Sequence, residues 1–208
     1  MPILLGEQPI VDALSQAFTY FKNNLSVLVP EIFAYASATH QTEITALFAK
    51  QVITQGGYPN QAILGPTVTV TMEPEQETEQ YVNQQTGIAI PVSSNVALGN
   101  ATTFKSTYHC HCFGINYNAV LWLQALVKWA LLFERQALMQ SVAADGNTVT
   151  GYFLEQSLGA TGLVPIPDGI GDSMFPFQRI VILSAAHIDT WESIPYGPMQ
   201  SGGMTISV

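Results

Sequence analysis

The sequence predicts an α+β fold, an antiparallel β-sheet flanked by helices, with one long buried helix and a C-terminal arm. Three observations predict it. Residues 118–140 (NAVLWLQALVKWALLFERQALMQ) are apolar almost all the way round a helix, and only Gln124, Lys128, Glu134, Arg135 and Gln136 interrupt that surface before the last turn. A helix on the outside of a lone globule carries a polar face about half its circumference wide, so this one must be covered on nearly every side. Runs of strand character occur at 67–72, 101–113 and 177–191. Apolar residues at helical spacing dominate the first 50 residues. The order is α-α-β-β-β-α-β-β, and antiparallel strands packed on one side by helices form the α+β class.

The first helix is expected to begin near Pro9, which suits a first-turn position. Ile10, Leu14, Ala17, Phe18 and Phe21 make its apolar face, and Asn23 and Asn24 mark its end. A second helix is expected from Pro30 through Ile32, Phe33, Tyr35 and Ala36. It breaks across 37–41 and resumes over 42–53 with Ile44, Leu47, Phe48 and Val52 inward. Gly56 and Gly57 close this helical N-terminal region, 1–60. Residues 67–72 (TVTVTM) alternate as a half-buried strand does. Residues 73–80 (EPEQETEQ) read as a hairpin tip or mobile loop. Residues 87–96 look like a strand whose Pro91 belongs at a sheet edge. A further strand is expected at 101–113, and Gly114, Asn116 and Asn118 supply its stop and the cap of the long helix. After the helix come a turn at Asp145-Gly146-Asn147, a short strand at 148–153 and a long loop at 159–174. The strand 177–191 (FQRIVILSAAHIDTW) follows, apolar at every position from Ile180 to Leu183 and hence covered on both faces. Residues 192–208, with two Pro, three Gly and little charge, read as an arm that docks on a neighbour.

A chain of 208 residues is expected to form one domain, 1–208. Hydrophobic content of 48% is ample for a core, whereas charged content of 10% is far below the ~25% of ordinary soluble domains. Gln, Asn, Ser, Thr and Gly replace the missing charge, and such a surface is easy to desolvate between subunits. The charge that remains is acidic, 15 Asp and Glu against 6 Lys and Arg. That argues against a protein that grips phosphates, because affinity for nucleic acid comes largely from basic side chains displacing counterions. It is compatible with an acidic or neutral wall past which DNA slides. The opening MPILLGEQPIVD has neither the basic nor the long apolar region of a secretory leader. Residues 119–133 are too short and too polar for a membrane span, which needs ~20 apolar residues, so no membrane association is expected. Two cysteines fit a reducing cytoplasm and provide no disulfide framework.

Of the chemistry-bearing residues, His109-Cys110-His111-Cys112 is the one run with metal-ligand types. Zinc collects four ligands tetrahedrally, yet side chains alternate along a strand. Cys110 and Cys112 therefore face one way, with Phe104 and Tyr108, and His109 and His111 the other. The cysteines read as small core residues, and neither a metal nor a cofactor is expected. Glu73, Glu75, Glu77 and Glu79 lack the Asp, Asn and Gly of a calcium loop. They share one environment, so their pKa values would not diverge as paired-carboxylate catalysis requires. They read as a solvated or channel-facing loop. His187 and Asp189 have the types of an acid–base pair but no nucleophile context such as GxSxG, and read as a polar edge or intersubunit contact. Trp122 and Trp129, seven apart on the long helix, are core or interface residues, and Trp191 is an interface anchor. The glycines at 159, 162, 169 and 171 form no phosphate loop. No catalytic residue is assigned, and the chain is not expected to be an enzyme.

From about 116 to 198 the order of parts is distinctive. A long apolar helix ends in ERQALMQ, then comes a short strand with Gly151-Tyr152-Phe153, a loop, and the strand PFQRIVILSAAHIDTWESI, which opens on aromatic-x-Arg and closes on Asp-Thr-Trp. This resembles the neck and tail-terminator proteins of tailed bacteriophages over roughly the C-terminal 80 residues. The resemblance implies a virion structural protein, assembled in the host cytoplasm. It would be a homo-oligomeric ring of six copies that caps the tail tube, joins it to the head connector and lets DNA pass without sequence-specific binding. Its partners would be tail tube or sheath and head-connector proteins. Another connector, collar or tail-completion subunit is the alternative within that class. The alternative from a different class is a small-ligand-binding or enzymatic α+β domain with a pocket built from Tyr108, His109, His111, His187 and Asp189.

Overall fold

The computed structural model describes residues 6–57, 65–74, 76–82, 99–138, 141–142, 149–150, 153, 155–164 and 177–192. The expected strand at 87–96, the turn at 145–147, the 165–174 part of the expected loop and the arm beyond residue 192 lie outside them. The fold is α+β, with helices packed against one large sheet.

Helix α1, Gln8–Asn23, carries Pro9 in its first turn and buries Ile10, Leu14, Ala17, Phe18 and Phe21, as its spacing predicts. Helix α2 spans Leu25–Ile32, five residues earlier than the expected start at Pro30. Pro30 lies inside it, where its missing N–H removes one bond of the helical ladder, and buried Leu28 and Val29 hold the segment down. Helix α3, Ala38–Phe48, starts where a break was expected, because the Ser37 side chain accepts a hydrogen bond from the His40 N–H. It stops at Phe48, and the chain turns into strand β1, Ile53–Gly56. The 1–60 region is therefore not wholly helical. Gly57 follows with φ +73 and donates its N–H to the Val70 carbonyl at 2.7 Å; the left-handed φ suits a residue without Cβ.

Strand β2, Thr67–Met72, is followed by β3, Gln76–Val82, and β4, Gly99–Gly114. Strands β7, Glu155–Val164, and β8, Phe177–Glu192, complete the main sheet. Its order is β1-β2-β4-β8-β7, with β3 also paired to β4. Strands β2 and β3 lie in succession along one side of β4, opposite residues 108–113 and 100–105. The sheet is mixed rather than wholly antiparallel, since β1 runs parallel to β2. A separate ribbon joins β5, Ser141–Val142, to β6, Val149–Thr150. The expected loop from Gly159 begins instead as strand. Through residue 164 the chain belongs to β7, paired with β8 across a bulge between Ala160 and Leu163.

Strands β4 and β8 are 16 residues each and pair in unbroken register, a ladder roughly 50 Å long at ~3.3 Å per residue. The long helix is α4, Tyr117–Phe133, capped by Asn116, whose side chain accepts from the Ala119 N–H at 2.8 Å. It ends at Glu134, and the expected continuation becomes the short helix α5, Arg135–Leu138. Its inner face packs with α1 on the side of the sheet that carries Val70, Cys110, Cys112, Val181 and Leu183. Gly114 ends β4 directly beneath the first turn of α4. A Cβ there would lie 2.9 Å from the Val120 nitrogen and 3.2 Å from its Cα. Those are backbone atoms that cannot rotate away, so Gly114→Ala is expected to cost about 2 kcal/mol through overpacking, measurable by urea unfolding. Among the described residues no helix is long and apolar enough to cross a membrane.

Candidate functional site

The two faces of the β4–β8 ladder differ in chemistry. On the helix side Tyr108, Cys110 and Cys112 are fully buried beside Val68, Val70, Val181 and Leu183. Burial pushes the Cys110 thiol up to about 12 and holds the Cys112 thiol well above the ordinary range. In these surroundings both thiols are neutral. They act as small apolar filler, on the face that strand alternation assigns to them.

The opposite face is polar. His109 Nε2 stands 2.9 Å from Glu73 Oε1. The His109 and His111 rings stack with centroids 6.1 Å apart, and His111 stacks in turn on Phe113. The Gln178 amide N–H donates to His111 Nδ1 at 2.7 Å, which leaves Nε2–H to donate to Thr71 Oγ1 at 2.9 Å. This is the neutral imidazole. Burial first, and the neighbouring His109 second, lower the His111 pKa to about 4. Thr67, Thr69 and Gln178 are buried on the same face. The Thr69 hydroxyl and the Gln178 Oε1 have no hydrogen-bond partner among the described residues. The alternation of His109 and His111 away from the cysteines was readable from the sequence. Their partners Glu73, Thr71 and Gln178 were not, because strand pairing alone brings them together.

From Gln76 onward the acidic run is strand rather than loop. Glu73 is exposed and continues the β2 ladder, its N–H donating to the Thr107 carbonyl at 2.9 Å. Pro74 follows and has no N–H to give, so pairing lapses there and resumes in β3. In β3, Glu77 lies opposite Phe104 and Glu79 opposite Thr103 across a register shift. Glu75 lies outside the described residues. Glu73, Lys105, Thr107, Ser157 and Ser184 line a shallow depression of about 400 Å³ on the sheet.

Residues 117, 121, 128 and 132 lie along one stripe of α4 at about 100° per residue, and 122, 129 and 133 lie beside it. Tyr117, Leu121, Leu132 and Phe133 are exposed, Leu132 to 55%, and Trp122, Ala125 and Trp129 are half-buried. Lys128 is the single charge on this outward half. Phe133 stacks between Tyr20 and Trp129, 5.0 Å from each, and Trp129 also meets Phe21. Trp122 packs against His40 of α3. Both tryptophans thus bridge helices and face outward at the same time. Among the described residues the long helix is buried on one half only, so its expected covering on nearly every side is incomplete there.

Gln124, expected on the polar stripe, is 4% exposed. Its amide donates to the Thr161 carbonyl at 2.9 Å and the Ile180 carbonyl at 3.0 Å, and its Oε1 accepts from Arg179 at 3.1 Å. Arg179 also bonds the Tyr117 hydroxyl and lies over its ring. Gln124 therefore clamps the β7 bulge to β8.

His187, Asp189 and Trp191 lie in β8 opposite Phe104, Thr102 and Asn100. His187 is seven residues along the strand from Ile180, the partner of His111, or roughly 23 Å. Tyr108 and His109 lie on opposite faces. The five residues of the ligand-pocket alternative are thus not gathered at one place. No family model matches the sequence, and no curated protein matches it either.

Proposed function

We propose that this chain is a self-assembling virion structural protein of a tailed phage, a neck or tail-terminator ring subunit that caps the tail tube, meets the head connector and lets the genome through. One observation carries the reading. The outward half of α4 offers Tyr117, Leu121, Trp122, Trp129, Leu132 and Phe133 with a single charge, Lys128. A contiguous apolar patch of this kind marks an interaction surface, and aromatic residues are enriched in such interfaces. The scarcity of charge over the whole chain supports permanent contacts, and the net charge of −9 supports a conduit that does not retain DNA. The long β4–β8 ladder supplies an extended element on which subunits can meet. The sequence resemblance supports the proposed position in the particle.

The test is the mass of the purified protein in solution, alone and with phage tail tubes. A multiple of 22.5 kDa that binds tube ends is expected. Leu121→Gln with Leu132→Gln should abolish assembly while changing unfolding stability by no more than about 0.5 kcal/mol, as exposed positions do. A monomer with no affinity for tubes would reject the proposal.

A further inference from the structure

A groove of about 570 Å³ runs between α1 and residues 48–54, with Ser15, Phe18, Lys22, Lys50, Ile53 and Thr54 in its lining. It borders the free side of β1. Ile53 and Gly57 aim their N–H groups at β2, to the carbonyls of Pro66 and Val70. Alternate residues of a strand present their backbone groups to opposite edges, so Thr54 and Gly56 present theirs outward, where no described strand pairs with β1. Such an edge is a template for a further strand. Its charge is unusual for this chain. Two of the six basic residues, the exposed Lys22 and Lys50, line the groove, and no carboxylate among the described residues does.

The same chain carries a complementary element. Residues 73–82 hold four glutamates and no basic residue, and β3 within them pairs with β4 alone among the described strands. We propose that the β1 groove of one copy receives β3 of a second copy, whose acidic sequence complements Lys22 and Lys50. The inference rests on the assembly reading above and adds a strand-pairing contact to the one on α4. Backbone pairing along the edge supplies attachment, as in other strand-addition complexes. The charges select partner and register. Groove and strand are different patches of one chain, and where they join copies head to tail, repeated copies close into a ring when the rotation allows.

Charge reversal tests it. Lys22→Glu with Lys50→Glu, and separately Glu77→Lys with Glu79→Lys, should each raise the concentration needed for assembly by about tenfold or more, read by light scattering after size exclusion. Mixing the two variants should restore assembly, because each reversed surface then finds its complement. A chain carrying all four changes should assemble by itself, which separates a lost contact from a lost fold. In the wild type, raising salt from about 0.05 M to about 0.5 M should weaken assembly by screening these pairs. An assembly unaffected by either double reversal overturns this interface and leaves the structural role standing. Reversals at Lys22 and Lys50 that alter DNA retention but not assembly overturn it in favour of a phosphate contact. A wild-type chain that stays monomeric at every concentration overturns the assembly reading and this interface with it.

Discussion

Gln124→Leu is expected to destabilise the fold by about 4 kcal/mol, although leucine fits the apolar helix around it better than glutamine does. The side chain is buried and makes three hydrogen bonds, two from its amide to backbone carbonyls on different strands and one from Arg179. Leucine offers none of them. The Thr161 and Ile180 carbonyls and the Arg179 guanidinium would each lose a partner in a site that water reaches poorly, at about 1–3 kcal/mol per stranded group. The Thr161 hydroxyl, which can donate to the Ile180 carbonyl at 3.4 Å, recovers part of the loss. For a chain of this size the melting midpoint should fall by about 10 °C. Gln124→Glu should fail as well, because a carboxylate keeps the Arg179 contact and cannot donate to the two carbonyls. Lys128→Leu, one turn on and exposed, should change stability by no more than about 0.5 kcal/mol. Parallel urea titrations of the three variants decide the matter, and a wild-type midpoint for Gln124→Leu would show that the bulge needs no clamp.

That pair of positions also marks the boundary of what the sequence makes legible. Gln124 and Lys128 look like one polar stripe, since both interrupt the same apolar helix. Only the position of the β7 bulge tells them apart, and a bulge depends on pairing between strands distant in the chain. The elements that were readable have a strong internal period. The alternation of TVTVTM, the apolar centre of β8, the 3.6-residue spacing of α1 and the Asn116 cap each follow from their own residues. The strands that were missed are all edges. Strand β1 is four residues long, β3 is acidic, and β7 contains Gly159 and Gly162. An edge strand needs one backbone partner and little apolar pattern, so β4 and β8 carry the information that β3 and β7 lack. The same holds for the proposed sites. The outward face of α4 was visible as excess apolar character, whereas Lys22 and Lys50 face one groove only because α1 packs against β1.

His111 should make the protein acid-sensitive by about 3 kcal/mol. Its pKa lies near 4 in the fold against 6.5 for an ordinary histidine. Above pH 6.5 the ring is neutral whether the chain is folded or unfolded, and it contributes no pH dependence. Between pH 6.5 and 4 the unfolded chain binds the proton and the folded chain does not, so stability falls as pH falls. Below about 4 both states are protonated and the loss is complete, about 2.5 units at 1.36 kcal/mol each. The cause is local. The ring is 4% exposed, His109 lies beside it on β4, and the neutral side chains of Thr71 on β2 and Gln178 on β8 take its two nitrogens. No carboxylate among its described hydrogen-bond partners offsets the charge; Glu73 engages His109 instead. His111→Gln keeps a polar side chain between Thr71 and Gln178 and removes the titration. The stability difference between wild type and this variant should therefore shift by about 3 kcal/mol in the variant's favour as pH is lowered from 7 to 4. Carboxylates that titrate over the same range do so in both proteins and cancel in the comparison. Urea unfolding of the two at pH 7, 5.5 and 4 makes the measurement, and parallel pH profiles would mean that the buried imidazole accepts its proton without cost.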